Sequence, residues 1–128
     1  MRILIAIPHY CGPPQPGEKQ RYASQLARLP RAIALNTMIV ALHRHYGPTR
    51  MLGPVTDGIT DFEHTTQLDI VIITMRDRNA LELVSVDPSH FDIEYFTGEP
   101  LMLSFETQRV LRDRCGSYDL YGTMEDDL

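Results

Sequence analysis

Near the end of the chain three acidic residues stand in a row, Glu125, Asp126 and Asp127, directly after the run Tyr118-Asp-Leu-Tyr-Gly-Thr-Met124. Crowded carboxylates repel one another unless positive charge sits among them, and a hard divalent cation such as Mn²⁺ or Mg²⁺ prefers oxygen ligands. At the tip of a strand the three would form a metal site; a solvated acidic turn is the alternative that needs no cation. A second group comes after the first apolar run of the chain: Pro8, His9 and Tyr10. Its aromatic ring could lie against a flat base, or fold back onto the core. A third group, Arg76, Asp77 and Arg78, offers guanidinium forks suited to phosphate and a carboxylate suited to a hydroxyl or an N–H. Solvent-facing charges beside a sheet would use the same residues.

These groups can act together only if strands deliver them to one edge. Arg2 to Ile7 is a continuous β-branched run that reads as a strand covered on both faces, stopped by Pro8. Four prolines and two glycines between Pro8 and Gly17 make that stretch a loop. Glu18 to Leu29 leaves room for a turn or two of helix. A helix over 31–46 opens on Pro30, carries an apolar stripe at Leu35, Met38, Ile39, Leu42 and Tyr46, and is closed by Gly47 and Pro48. His43 and His45 near its end are surface residues at the negative end of the helix dipole.

Residues 49–67 are loop-rich, with turn signals at Gly53-Pro54 and Asp57-Gly58 and a short strand over 51–55. Leu68 to Thr74 is the clearest strand, and it runs into the Arg76–Arg78 loop. Asn79 caps a short helix over 80–84. Residues 91–96 alternate as an edge strand does. A helix over 101–114 comes after Pro100 and ends at Gly116, with Leu103, Val110, Leu111 and Cys115 on one face and Phe105 alongside. The last strand, with Leu120, Tyr121 and Met124, is expected deep in the sheet. Strands alternating with helices predict an α/β, Rossmann-like, mainly parallel sheet in a single domain. Such sheets bind ligands at the carboxyl edge, where all three groups would gather.

Bulk properties narrow the function. The 128 residues carry a net charge of −5, so there is no basic footprint for nucleic acid or an anionic membrane. No run reaches the ~20 apolar residues of a membrane span. Cys11 and Cys115 form no C-x-x-C pair, and the opening run is unlike a signal peptide, which places the chain in a reducing cytoplasm.

With Ile7-Pro-His-Tyr10 closing the first strand and Glu-Asp-Asp closing the last, the chain resembles the nucleotide-sugar-binding half of a GT-A glycosyltransferase. Gly116-Ser-Tyr-Asp-Leu-Tyr-Gly-Thr-Met-Glu-Asp-Asp127 is similar to the glycine-bounded approach to that family's D-x-D motif. The resemblance implies a nucleoside-diphosphate sugar as donor, UDP favoured over GDP. Asp127 would be the principal ligand of a Mn²⁺ or Mg²⁺, with Glu125 and Asp126 helping. Pro8, His9 and Tyr10 would lie at the nucleotide, Tyr10 and Pro8 flanking its base. Asp77 would accept from uracil or ribose, and Arg76 or Arg78 would pair with phosphate. Met75-Arg76-Asp77 stands where relatives carry an acidic pair, and Thr107-Gln108 where they often show Arg-Asn, which leaves the nucleotide and its phosphate contacts open.

The family's acceptor site and catalytic base come after the D-x-D motif, so the resemblance implies that they lie outside these residues. This chain alone would then transfer little or no sugar, and an uncovered sheet face would drive self-association. Two rivals remain. One is a metal-dependent phosphohydrolase, against which stand the lack of a G-x-x-x-x-G-K-[ST] cradle and of an Asp ending the first strand. The other is a non-enzymatic α/β module binding a nucleotide or a protein.

Overall fold

The computed structural model describes residues 1–12, 28–47, 50–55, 58–63 and 66–126, of which 50–55 and 58–63 are described as backbone. Four parallel strands form the central sheet: β1 (Arg2–Pro8), β4 (Gln67–Thr74), β5 (Asp92–Tyr95) and β6 (Leu120–Thr123), in the order β5-β4-β1-β6. Between β1 and β4 the chain forms helix α1 (Arg28–Tyr46) and an antiparallel hairpin of β2 (Arg50–Val55) and β3 (Gly58–Glu63). Helix α2 (Leu103–Asp113) links β5 to β6. The fold is α/β and Rossmann-like.

Strand alternation explains the two cores. Ile3, Ile5 and Ile7 of β1, with Leu68, Ile70 and Ile72 of β4, pack against Leu35, Ile39 and Leu42 of α1. The intervening Leu4, Ala6, Val71 and Ile73 pack against Leu103 and Val110 of α2. Successive strand side chains point to opposite faces, so a stretch buried on both faces must be apolar at every position, as Ile3 to Ile7 of β1 are. Each fully buried Ile or Leu contributes roughly 1.5–3 kcal/mol. Each face of the β1–β4 pair carries a helix, so the expected uncovered face does not lie on these two strands.

Other expectations are corrected by strand order. The last strand lies at an edge rather than deep in the sheet, and Leu120 is half exposed. On α2 the inward residues are Leu103, Thr107 and Val110, whereas Phe105 and Cys115 face solvent. The loop-rich stretch contains a hairpin, because the short strand expected over 51–55 finds a partner in 58–63. Helix α1 starts at Arg28, two residues before Pro30, since proline is tolerated in a first turn. His43 fastens its far end by donating from Nε2 to the carbonyl of His90 at 2.8 Å. Among the described residues no helix is long and apolar enough to cross a membrane.

Candidate functional site at the reversal of strand order

From β1 the chain steps outward through β4 to β5, then returns to the opposite side of β1 as β6. The connections through α1 and α2 pack on opposite faces, so the crevice between the carboxyl ends of β1 and β6 is the point where an open sheet takes a ligand. The loop leaving β1 and the turn leaving β6 meet there. Ile3 to Ala6 pair in register with Leu120 to Thr123, so His9 and Asp126 each lie three residues past that ladder.

His9 is fully buried and Asp126 nearly so, at 4% exposure. The backbone N–H of Ala80 donates to His9 Nε2 at 2.9 Å. A nitrogen that accepts cannot carry the proton in the neutral ring, so the proton is on Nδ1. It is donated to Asp126 Oδ2 through a short hydrogen bond. The other oxygen of Asp126 lies 3.3 Å from Arg31 Nη2. Arg31 belongs to the first turn of α1 and also reaches the carbonyl of Tyr10 at 3.5 Å. This turn holds no acidic residue; positive charge there opposes the helix dipole, and the Asp126 carboxylate offsets it. Arg31 Nε is buried and has no hydrogen-bond partner among the described residues.

The loops are stitched together around this pair. His9 N–H extends the ladder to the Ile73 carbonyl and Cys11 N–H reaches the Arg78 carbonyl, both at 2.9 Å. Arg78 donates to the Tyr10 hydroxyl at 2.5 Å, its guanidinium 5.8 Å from the ring centroid. Gly12 permits this approach, because a Cβ there would stand 3.1 Å from Arg78 Cγ. Asn79 accepts from the N–H of Leu81, and Arg28 joins α1 to this loop through the Asn79 carbonyl and Glu82. Cys11 is buried beside Ala32 and Ala80. Burial pushes its thiol above the ordinary value, against the opposing pull of Arg31 and Arg28. It is a packing residue, not a nucleophile.

The structure thus brings together Pro8, His9, Tyr10, Arg78 and Asp126. Arg76 lies over the Tyr95 ring at 4.0 Å, and Asp77 is exposed on the same loop. In place of the expected contact with a nucleotide, His9 turns inward with both ring nitrogens engaged. In place of the expected share in a cation, Asp126 has both its oxygens taken by His9 and Arg31. Glu125 is exposed and bonds no described residue. Asp127 lies outside the described residues, as does the loop over 13–17.

Among the described residues no three His, Cys, Asp or Glu side chains cluster as a metal site would require. Of the acidic turn's described residues only Glu125 is exposed, and one carboxylate is too few oxygen donors to hold a hard cation. Sequence reasoning misses Arg31, which reads only as the start of a helix. Glu125 and Asp126 lie in the turn past β6, where strand alternation no longer applies and no sequence signal separates them.

Comparison with protein-family models, with curated proteins and with solved structures gives no match. The site must be read from its own geometry. A groove of about 580 Å³ between α1 and residues 85–90, lined in part by Asn36, Arg44, His45 and His90, shares no residue with it.

Proposed function

We propose that this chain is the nucleotide-sugar-binding half of a metal-dependent glycosyltransferase of GT-A type. The observation that carries the reading is the meeting of the loop after β1 with the acidic turn after β6 at the reversal of strand order, His9 against Asp126. A donor laid across that crevice would place its base toward Tyr10, whose hydroxyl is held by Arg78. Asp77, exposed on the neighbouring loop, would accept from ribose or uracil. Arg76 would swing from Tyr95 toward phosphate, keeping the bidentate geometry that arginine offers.

Glu125 and Asp127 would hold the cation, Mn²⁺ or Mg²⁺. When bound, such an ion supplies Lewis-acid neutralisation of the departing nucleoside diphosphate. The protein's own part is to orient: the buried His9–Asp126–Arg31 cluster fixes the turn, and the Tyr10–Arg78 pair fixes the base-side wall. UDP is the favoured nucleotide over GDP. No catalytic base or acceptor wall is assigned among the described residues. Two reduced cysteines fit a cytoplasmic setting.

Thermal unfolding with UDP, GDP or ADP, each with and without Mn²⁺, tests the proposal. Nucleotide and metal together should stabilise the fold by about 2.7 kcal/mol at a hundredfold excess over Kd, more than the two separate effects combined. Absence of any joint shift would remove the reading. Turnover of a simple phosphate ester would replace it with phosphohydrolase chemistry.

A further inference from the structure

We propose that the groove between α1 and residues 85–90 takes up an acidic peptide segment of a partner protein, an extended run of about four residues in which an apolar side chain is flanked by carboxylates. Lying apart from the crevice beside β6, it would serve this purpose whatever binds there. The groove is built before a ligand arrives. At one end Asn36 accepts from the N–H groups of Ser85 and Val86 at 3.0 and 3.1 Å and donates to the Ser85 hydroxyl at 3.1 Å. At the other end His43 Nε2 donates to the His90 carbonyl at 2.8 Å, and the two imidazoles stand with centroids 4.7 Å apart. These two fastenings, about 10 Å apart along the helix, hold the facing wall in place. A wall already ordered costs a ligand less to bind.

Val40, Ala41 and Val86 give the groove an apolar lining, and Val40 is 54% exposed, so folding leaves that surface in water for a ligand to cover. Charge then chooses the occupant. Residues 28–46 contain no Asp or Glu. Arg44, His45 and His90 line the groove at its His43 end, and none of these side chains forms an ion pair or hydrogen bond among the described residues. The one carboxylate among the described lining residues, Asp87, has Oδ1 on the Ser89 N–H at 2.8 Å. A guanidinium and two imidazoles with N–H groups to give thus stand against a single engaged carboxylate, in a chain of net charge −5. An acidic segment complements them; a basic one is repelled by Arg44. From Asn36 to His45 the helix runs about 13 Å, the length of about four extended residues.

The test presents the full chain with an array of hexapeptides in which one or two apolar residues stand among Asp and Glu, beside the same array built with Asn and Gln and with Lys. Acidic members should bind with Kd below about 1 mM, and the best of them should move the backbone amides of residues 40–45 and 85–90 in NMR spectra. Arg44→Glu should weaken that peptide by about tenfold. Arg112→Glu makes the same change of charge at an exposed position on α2, across the sheet, and should stay within about twofold at physiological salt. Circular dichroism confirms that both variants are folded. No acidic member binding, equal losses in the two variants, or amide shifts confined to other residues would each overturn the proposal. Attachment to phosphatidylserine vesicles without peptide binding would overturn it in favour of a membrane surface.

Discussion

His9 and Asp126, 117 positions apart in sequence, are joined by a buried hydrogen bond from the imidazole Nδ1 to the carboxylate. The bond spans the reversal of strand order, between the loop that leaves an interior strand and the turn that leaves an edge strand. Burial of two polar side chains is tolerated there because every nitrogen of the ring and both carboxylate oxygens have a partner.

Breaking that cluster should be expensive. Asp126→Ala leaves the Nδ1–H of His9 without an acceptor and Arg31 without its carboxylate partner, a change that typically costs about 3–5 kcal/mol. Glu125→Ala removes only an exposed carboxylate and should stay within about 0.5 kcal/mol of the parent. Urea unfolding midpoints compare the two directly. Equal midpoints would mean that the buried contacts contribute nothing to stability.

Asp127 invites a different experiment. If it is the principal cation ligand, Asp127→Ala should abolish the metal-dependent part of the UDP-induced thermal shift while barely changing the melting point without ligand. Undiminished shift in that variant would withdraw the assignment.

The two cysteines should react at very different rates. Cys115 is exposed, whereas Cys11 is buried and its thiol is held protonated by that burial. A thiol-reactive reagent should label Cys115 in the native state and Cys11 only as urea unfolds the chain. Mass spectrometry of the labelled peptides reads both, and rapid native labelling of Cys11 would contradict the packing described for it.

Tyr118 gives the fold an alkaline limit. Its hydroxyl donates to Asp69 at 2.7 Å, and burial first, then the hydrogen bond and charge of Asp69, raise its pKa. The folded state thus holds the proton more tightly than the unfolded state. The stabilisation is complete below the ordinary tyrosine value of about 10 and is lost as pH rises through the higher folded value. Tyr118→Phe should be less sensitive to pH in that window, as measured by denaturant titration. Parallel losses in both proteins would exclude Tyr118 as the cause.

Gly116, three residues past the end of α2, has φ at +87°, and a Cβ added there would meet no atom within 4 Å. Gly116→Val should therefore destabilise through backbone strain alone, by roughly 1–2 kcal/mol. Retention of full stability would indicate that the turn relaxes to another conformation.

Most of the architecture is written in local pattern. The apolar runs Ile3 to Ile7 and Ile70 to Ile73 read as strands covered on both faces, and β5, within 91–96, has one neighbour, β4, as an edge strand does. Pro30, Gly47, Pro100 and Gly116 punctuate the helices. What local pattern does not contain is neighbour order. Leu120 and Tyr121 look like core residues, yet their strand closes one side of the sheet. The inward turn of Asp126 is illegible for the same reason, since three adjacent carboxylates look equivalent until the imidazole 117 positions away is placed beside one of them. Arg31 carries no signal of its own, because an arginine in a first helical turn is ordinarily a solvated charge.

The placement of β1 between β4 and β6 bears on how the molecule is made. Strand β1 acquires its second neighbour, β6, only after residues 9–119 have been synthesised. Until then it presents a bare row of backbone donors and acceptors along one flank. Contacts so distant in sequence close slowly, and unpaired strand edges are where nascent chains stick to one another. Expression of this protein should accordingly respond more to chaperone supply and translation speed than its modest size would suggest.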